Sequence, residues 1–153
     1  MEGRRHSDGA KAMVERLRRS ITERDLEALT SCFAVDYVNE TPVHPSRGFK
    51  GRDQVRRNWE QILSGVPDVT AQVLRCTTEG DTAWSEWKLS GTRRDGSAFE
   101  MRGVGIFGVV DGEAAWCRFY LEPVDTGGED INAATRRRVT GSSGVPAERN
   151  TAT

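Results

Sequence analysis

The chain has 153 residues, enough for one domain whose core needs neither disulfides nor metal to hold it. Its 22 Lys and Arg against 23 Asp and Glu leave a formal net charge of −1, so no field draws it onto nucleic acid or an anionic membrane. No stretch is long and apolar enough to cross a bilayer and no leader-like segment opens the sequence, so a cytoplasmic protein is expected.

Residues 1–6 carry no apolar periodicity and are expected to be disordered. From there Met13, Leu17 and Ile21, with Ala10 and Val14 beside them, fall at helical spacing, and Glu15, Arg16, Arg18 and Arg19 take the other face. Asp25 caps a short second helix in which Leu26, Leu29 and Phe33 repeat at three and four residues, ending before Asp36. Tyr37 to Thr41 is a short β-prone run, stopped by Pro42. The stretch from Pro42 to Gly48 contains two prolines and a glycine and reads as a loop. After Gly51 a third helix presents Val55, Trp59 and Ile62 on one face and is closed by Gly65 and Pro67.

Three Gly-centred turns, Glu79-Gly80-Asp81, Asp95-Gly96 and Asp111-Gly112, then divide residues 69 to 123 into four apolar-rich runs, the pattern of consecutive antiparallel strands. In the run from Ala98 to Val110, Phe99, Met101, Gly103, Gly105, Phe107 and Val109 form one alternating set, and Glu100 and Arg102 belong to the other. Val104 and Ile106 make its second half apolar on both faces, which predicts a covered outer face, by another subunit for example. Gly103 and Gly105 would let the strand bend. Beyond Val124 the composition turns to Gly, Ser, Thr and Asn with an Arg136-Arg137-Arg138 run, so residues 125–153 are expected to be a disordered tail and 7–124 the folded domain. Helices first and a meander afterwards predict an α+β fold, one sheet curled over a helical layer with a pocket between them.

Cys32, Cys76 and Cys117 share no metal-type spacing and sit among apolar neighbours, which predicts buried reduced thiols. With only His6 and His44 in the chain, no metal site is expected. No Ser sits in a Gly-flanked elbow and no phosphate-cradling Gly loop occurs, so neither nucleophilic catalysis nor a nucleotide cofactor is implied.

The order of elements, read with Asp36-Tyr37-Val38-Asn39-Glu40-Thr41-Pro42, Gly51-Arg52-Asp53-Gln54-Val55, Pro67-Asp68, Glu79-Gly80-Asp81, Gly91-Thr92 and Val110-Asp111-Gly112, resembles the SnoaL-like branch of the nuclear-transport-factor-2-like superfamily over roughly residues 10 to 124. The resemblance implies a conical half-barrel: three helices in the concave face of a curved, mainly antiparallel sheet, commonly a homodimer through its outer face, with a deep apolar pocket. Such pockets hold a carboxylate whose pKa is raised by desolvation for acid/base work. Glu40 follows the Tyr37-Val38 run, where many relatives carry a pocket polar residue, and is the expected acid/base. His44, in the loop at the cone's mouth, is its expected partner.

The last strand leaves two readings open. Its apolar set, Cys117, Phe119 and Leu121, is the natural core face. By resemblance to the epoxide hydrolases of the superfamily, Arg118 falls where a catalytic Asp would sit and Tyr120 follows on the same wall, which would make the pair oxyanion donors. The same comparison finds Trp87 and Leu89 in place of the inward Arg and Asp of those enzymes, removing their water-activating pair. Tyr37, Trp59, Trp87, Leu89, Phe99, Met101 and Phe107 are expected to line a pocket for a small apolar molecule. The resulting expectation is a cofactor-independent cyclase or isomerase acting on a ring-containing or polyketide-like substrate. The alternatives are a non-catalytic ligand-binding or dimerisation domain and, behind it, an epoxide-hydrolase-like enzyme.

Overall fold

In the computed structural model, residues 2–141 are described, with side chains from Asp8 onward. Helix α1 (Glu2–Thr22) starts within the segment read as disordered and runs past the predicted stripe. Ala10, Met13, Val14, Leu17 and Ile21 are all buried, the spacing of three and four residues having set one face against the sheet. The Thr22 hydroxyl and the Ala71 main chain exchange hydrogen bonds of 3.0 and 3.4 Å, pinning the helix end to the sheet.

Asp25 caps α2 (Leu26–Ser31) as the sequence predicts, its side chain accepting from the Ala28 amide. Phe33, counted into that helix by its spacing, instead opens strand β1 (Phe33–Glu40). The cause is non-local: the Cys32 carbonyl accepts from the Ala114 amide at 2.7 Å, so the chain leaves the helix to join a strand about 80 residues away. The Pro42–Gly48 stretch is a strap containing one 3₁₀ turn, Pro45–Arg47, and ends in a two-residue strand β2 (Phe49–Lys50) that the sequence did not signal. Helix α3 (Arg52–Gly65) is anchored at its start by Arg52, which donates to the Phe33 carbonyl at 2.8 Å and pairs with Glu113 at 2.9 Å.

The meander follows as predicted: β3 (Thr70–Glu79), β4 (Thr82–Thr92), β5 (Ala98–Val110) and β6 (Glu113–Pro123). The six strands form one curved, unclosed sheet in the order β2-β1-β6-β5-β4-β3, with β1 and β6 parallel and every other pair antiparallel. Along β4, Ala83, Ser85, Trp87 and Leu89 are buried in strict alternation, the inward set of a half-buried strand. Gly103 has φ +152°, and a Cβ there would stand 2.1 Å from the Tyr120 carbonyl oxygen, so the bend of β5 towards β6 requires glycine. Ile106, expected to need cover from another subunit, is 8% exposed within the single chain, with Trp84 and Arg118 as its cross-strand neighbours.

Within the segment predicted as a disordered tail, Ile131–Val139 forms a fourth helix, α4, capped by Asp130. None of its residues is buried. Residues 142–153 lie outside the described ones.

Candidate functional site

Between α1, α3 and the concave face of the sheet lies a cavity of about 380 Å³. The inward sets of the strands build its wall: Trp87 and Leu89 from β4, Met101 and Phe107 from β5, Phe119 and Leu121 from β6. Trp59 and Ile62 of α3 close it from the helical side. Of the seven residues predicted to line a pocket, Tyr37, Trp59, Trp87, Leu89, Met101 and Phe107 do so. Phe99 does not; it packs at the edge of the core with the Arg93 guanidinium 5.5 Å above its ring.

One strand supplies most of the polarity inside. Tyr37, Asn39 and Thr41 follow each other at two-residue spacing from β1 into the strap, all buried and all lining the cavity. The Tyr37 hydroxyl donates to Asn39 Oδ1 at 2.8 Å, and burial pushes the phenol far above its ordinary range, with the Cys117 thiol beside it adding to the effect. Cys117, in register with Asn39, is itself pushed up to about 12 by burial. The Trp87 indole is also buried in this wall; its Nε1 donates to Ser85 Oγ at 2.7 Å while Ser85 donates to the Gly105 carbonyl at 2.7 Å. That pair is spent within the sheet. Thr41 Oγ1 is buried and has no hydrogen-bond partner among the described residues.

At the rim an imidazole, a carboxylate and a guanidinium converge. His44 Nε2 lies 2.9 Å from Glu122 Oε1, and Arg47 Nη1 is 3.8 Å from Glu122 Oε2. Among the described residues Glu122 is the one carboxylate of the cavity lining and Arg47 its one cation. The sequence reading singled out neither Glu122 nor Arg47 as a site residue. Alternation does place Glu122 outward, but it is the penultimate residue of β6, where the side chain leans over the cavity edge and meets the strap. Only the strap's fold reveals this.

The placement of the predicted catalytic group requires a correction. Glu40, Arg118 and Tyr120 sit on the convex face, where they line a shallow groove with Asn39, Thr41, Pro42, Pro45 and Gly48. Arg118 Nε is 3.3 Å from Glu40 Oε2, and both side chains are more than half exposed. The structure thus brings three of the four together, but outside the cone, because strand parity gives the inner face to Cys117, Phe119 and Leu121. The apolar-set reading of β6 holds and the alignment with the epoxide hydrolases does not. His44 stands at the mouth as expected, with Glu122 rather than Glu40 as its partner.

Among the described residues no group of three or more His, Cys, Asp or Glu could hold a metal ion, and the three cysteines are free. No helix of the described residues is long and apolar enough to cross a membrane.

A family model described as SnoaL-like domain matches residues 14–119. No curated protein matches the chain. Among solved structures, an LEH-like epoxide hydrolase of M. tuberculosis superimposes with a TM-score of 0.66 at 16% identity, over 76% of this chain and 84% of that one. IdmH, a candidate polyketide cyclase of Streptomyces antibioticus, gives 0.65 at 22% identity over 74% and 91%. A Mycobacterium tuberculosis protein in complex with estradiol-17beta-hemisuccinate gives 0.63 at 20% identity over 73% and 92%. At these identities the likeness is one of fold.

Proposed function

Because the chain belongs to the SnoaL-like domain family, we propose that it is a cofactor-independent isomerase or cyclase that moves a proton on a small, mainly apolar ring-containing or polyketide-like molecule held in the cone. The observation that carries this reading is the Glu122–His44 pair, 2.9 Å apart, at the rim of a mainly apolar cavity of about 380 Å³. A carboxylate there can take a proton from the carbon next to a ring carbonyl. His44 holds Glu122 in position and can pass the proton on, and the Arg47 guanidinium beside them favours the enolate oxygen that forms. The structural neighbours named as acting on or binding ring compounds, a candidate polyketide cyclase and a protein with an estradiol derivative bound, support the substrate class. The epoxide-hydrolase alternative draws support from a neighbour's fold alone, since Trp87 and Leu89 stand in the wall where an inward Arg and Asp would be needed.

The test is exchange of the α-protons of 2-tetralone for deuterium, followed by NMR. The wild type is expected to accelerate exchange over buffer, and Glu122→Gln to lower that rate about 100-fold or more while leaving 2-tetralone binding in place. Binding without any acceleration would sink the enzyme reading and leave a ligand-binding domain. The second reading has its own support: the Glu122 side chain is 44% exposed, so it stands partly in water rather than in the apolar surroundings that sharpen a catalytic carboxylate. A homodimer through the convex face belongs to the same proposal, supported by the exposed Trp84, Trp116 and Tyr120 on that face.

A further inference from the structure

On the β1 side of the cavity wall two neighbouring hydrogen-bonding groups have no protein partner among the described residues. Asn39 Oδ1 is occupied by the Tyr37 hydroxyl, so what this amide has left for the cavity is its NH₂ group, which has no partner among the described residues. Burial keeps the Tyr37 phenol protonated and the Asn39 oxygen taken. Two residues on, on the same side of the chain, Thr41 is 8% exposed with its hydroxyl unpaired. A buried hydroxyl without a partner costs stability, and Thr41 stands between the cavity and the convex groove, lining both. Trp87, Met101, Phe107 and Phe119 of the sheet wall offer no competing donor, because the Trp87 N–H is spent on Ser85; Asn58 of α3, whose Oδ1 accepts from Gln54 Nε2 at 2.8 Å, is the other amide of the lining.

Asn39 lies below the rim, and Thr41 leads into the strap, its carbonyl accepting from the His44 amide at 2.8 Å. The parallel register sets Asn39 beside Cys117, five residues short of Glu122, or about 16 Å along the strand, and Glu40, the last residue of β1, beside Arg118. An oxygen held there is therefore a different atom from one reacting beside Glu122.

We infer that Asn39 and Thr41 form a binding subsite for a second oxygen of the ligand, so that the molecule taken up is an elongated ring compound with a carbonyl at its rim end and a hydroxyl or keto oxygen at its inner end. The inference rests on the reading that the cone takes a ring ketone. It makes the β1 wall the part of the site that selects for oxygenation pattern, whereas the aromatic wall selects only for size and apolarity.

The test compares binding of 6-hydroxy-2-tetralone and 2-tetralone by titration calorimetry. The wild type is expected to prefer the hydroxylated compound about tenfold, the equivalent of about 1.4 kcal/mol. Thr41→Val, which keeps the shape and removes the hydroxyl, should abolish the preference, so that the variant binds the two compounds equally, and Thr41→Ser should keep it. Thr41→Val should melt no lower than the wild type, since it removes an unpaired buried group. Equal affinity of the wild type for both compounds would overturn the inference and leave the functional reading standing, as would a preference that survives in Thr41→Val. A wild type that binds neither compound would overturn both.

Discussion

The Cys117 thiol is 1% exposed, and burial pushes it up to about 12 from an ordinary 9.0. In the unfolded chain the same thiol loses its proton around pH 9, so above that pH the unfolded state holds fewer protons than the folded one. The stability tied to this group is then fully present below pH 9 and drains away as pH rises towards 12, at up to about 1.4 kcal/mol per unit. The buried Tyr37 phenol acts in the same direction from an ordinary 10.0. Urea denaturation at pH 8, 9.5 and 11 should therefore show a falling midpoint, and Cys117→Ala should make the fall shallower; parallel slopes in the two proteins would contradict this account. At this scale much of the cavity was legible, since an apolar residue on an inward strand position has one place to go, and six of seven predicted lining residues are in the wall. The charged residues were less legible. Glu40 and Arg118 can satisfy each other in solvent on the convex face, at no desolvation cost, and they do.

Strand β5 runs from Ala98 to Val110, as the spacing of its two Gly turns predicts, because a hairpin fixes both ends of a strand locally. Its bend depends on Gly103. Gly103→Ala would drive a Cβ into the Tyr120 main chain, so a loss of about 2–3 kcal/mol is expected from overpacking a β-ladder that cannot yield. Denaturant titration measures it, and a loss under about 0.5 kcal/mol would show that the strand bends without glycine. The elements that the sequence placed wrongly are those set by distant partners. Phe33 keeps helical spacing with Leu29, but its main chain is claimed by β6, and β2 is a strand only because β1 lies beside it. Helix α4, by contrast, is local, built by the Asp130 cap and two alanines, and was hidden by the polar composition around it.

For the molecule as a whole, the convex face is where an unanswered surface remains. Trp84 is 47% exposed, with Trp116 and Tyr120 on the same face, and these surround rather than replace the charged pairs there. If this face joins two copies, light scattering will give twice the mass of the chain and Trp84→Lys will give the single mass; one chain at every concentration in the wild type would end the dimer proposal. The sequence by itself determined the α+β class, the three leading helices, the meander and its turns, and the apolar character of the cavity. All of these follow from periodicity and turn chemistry, which act over a few residues. The tertiary structure alone decided which polar groups share the cavity. A carboxylate, an imidazole and a guanidinium meet at the rim because the strap between β1 and β2 lies across the end of β6, a contact between residues more than 70 apart in the chain. Parity assigns each strand residue to a face, but it cannot say that the last turn of a strap will bend over an edge and bring an outward carboxylate to the mouth.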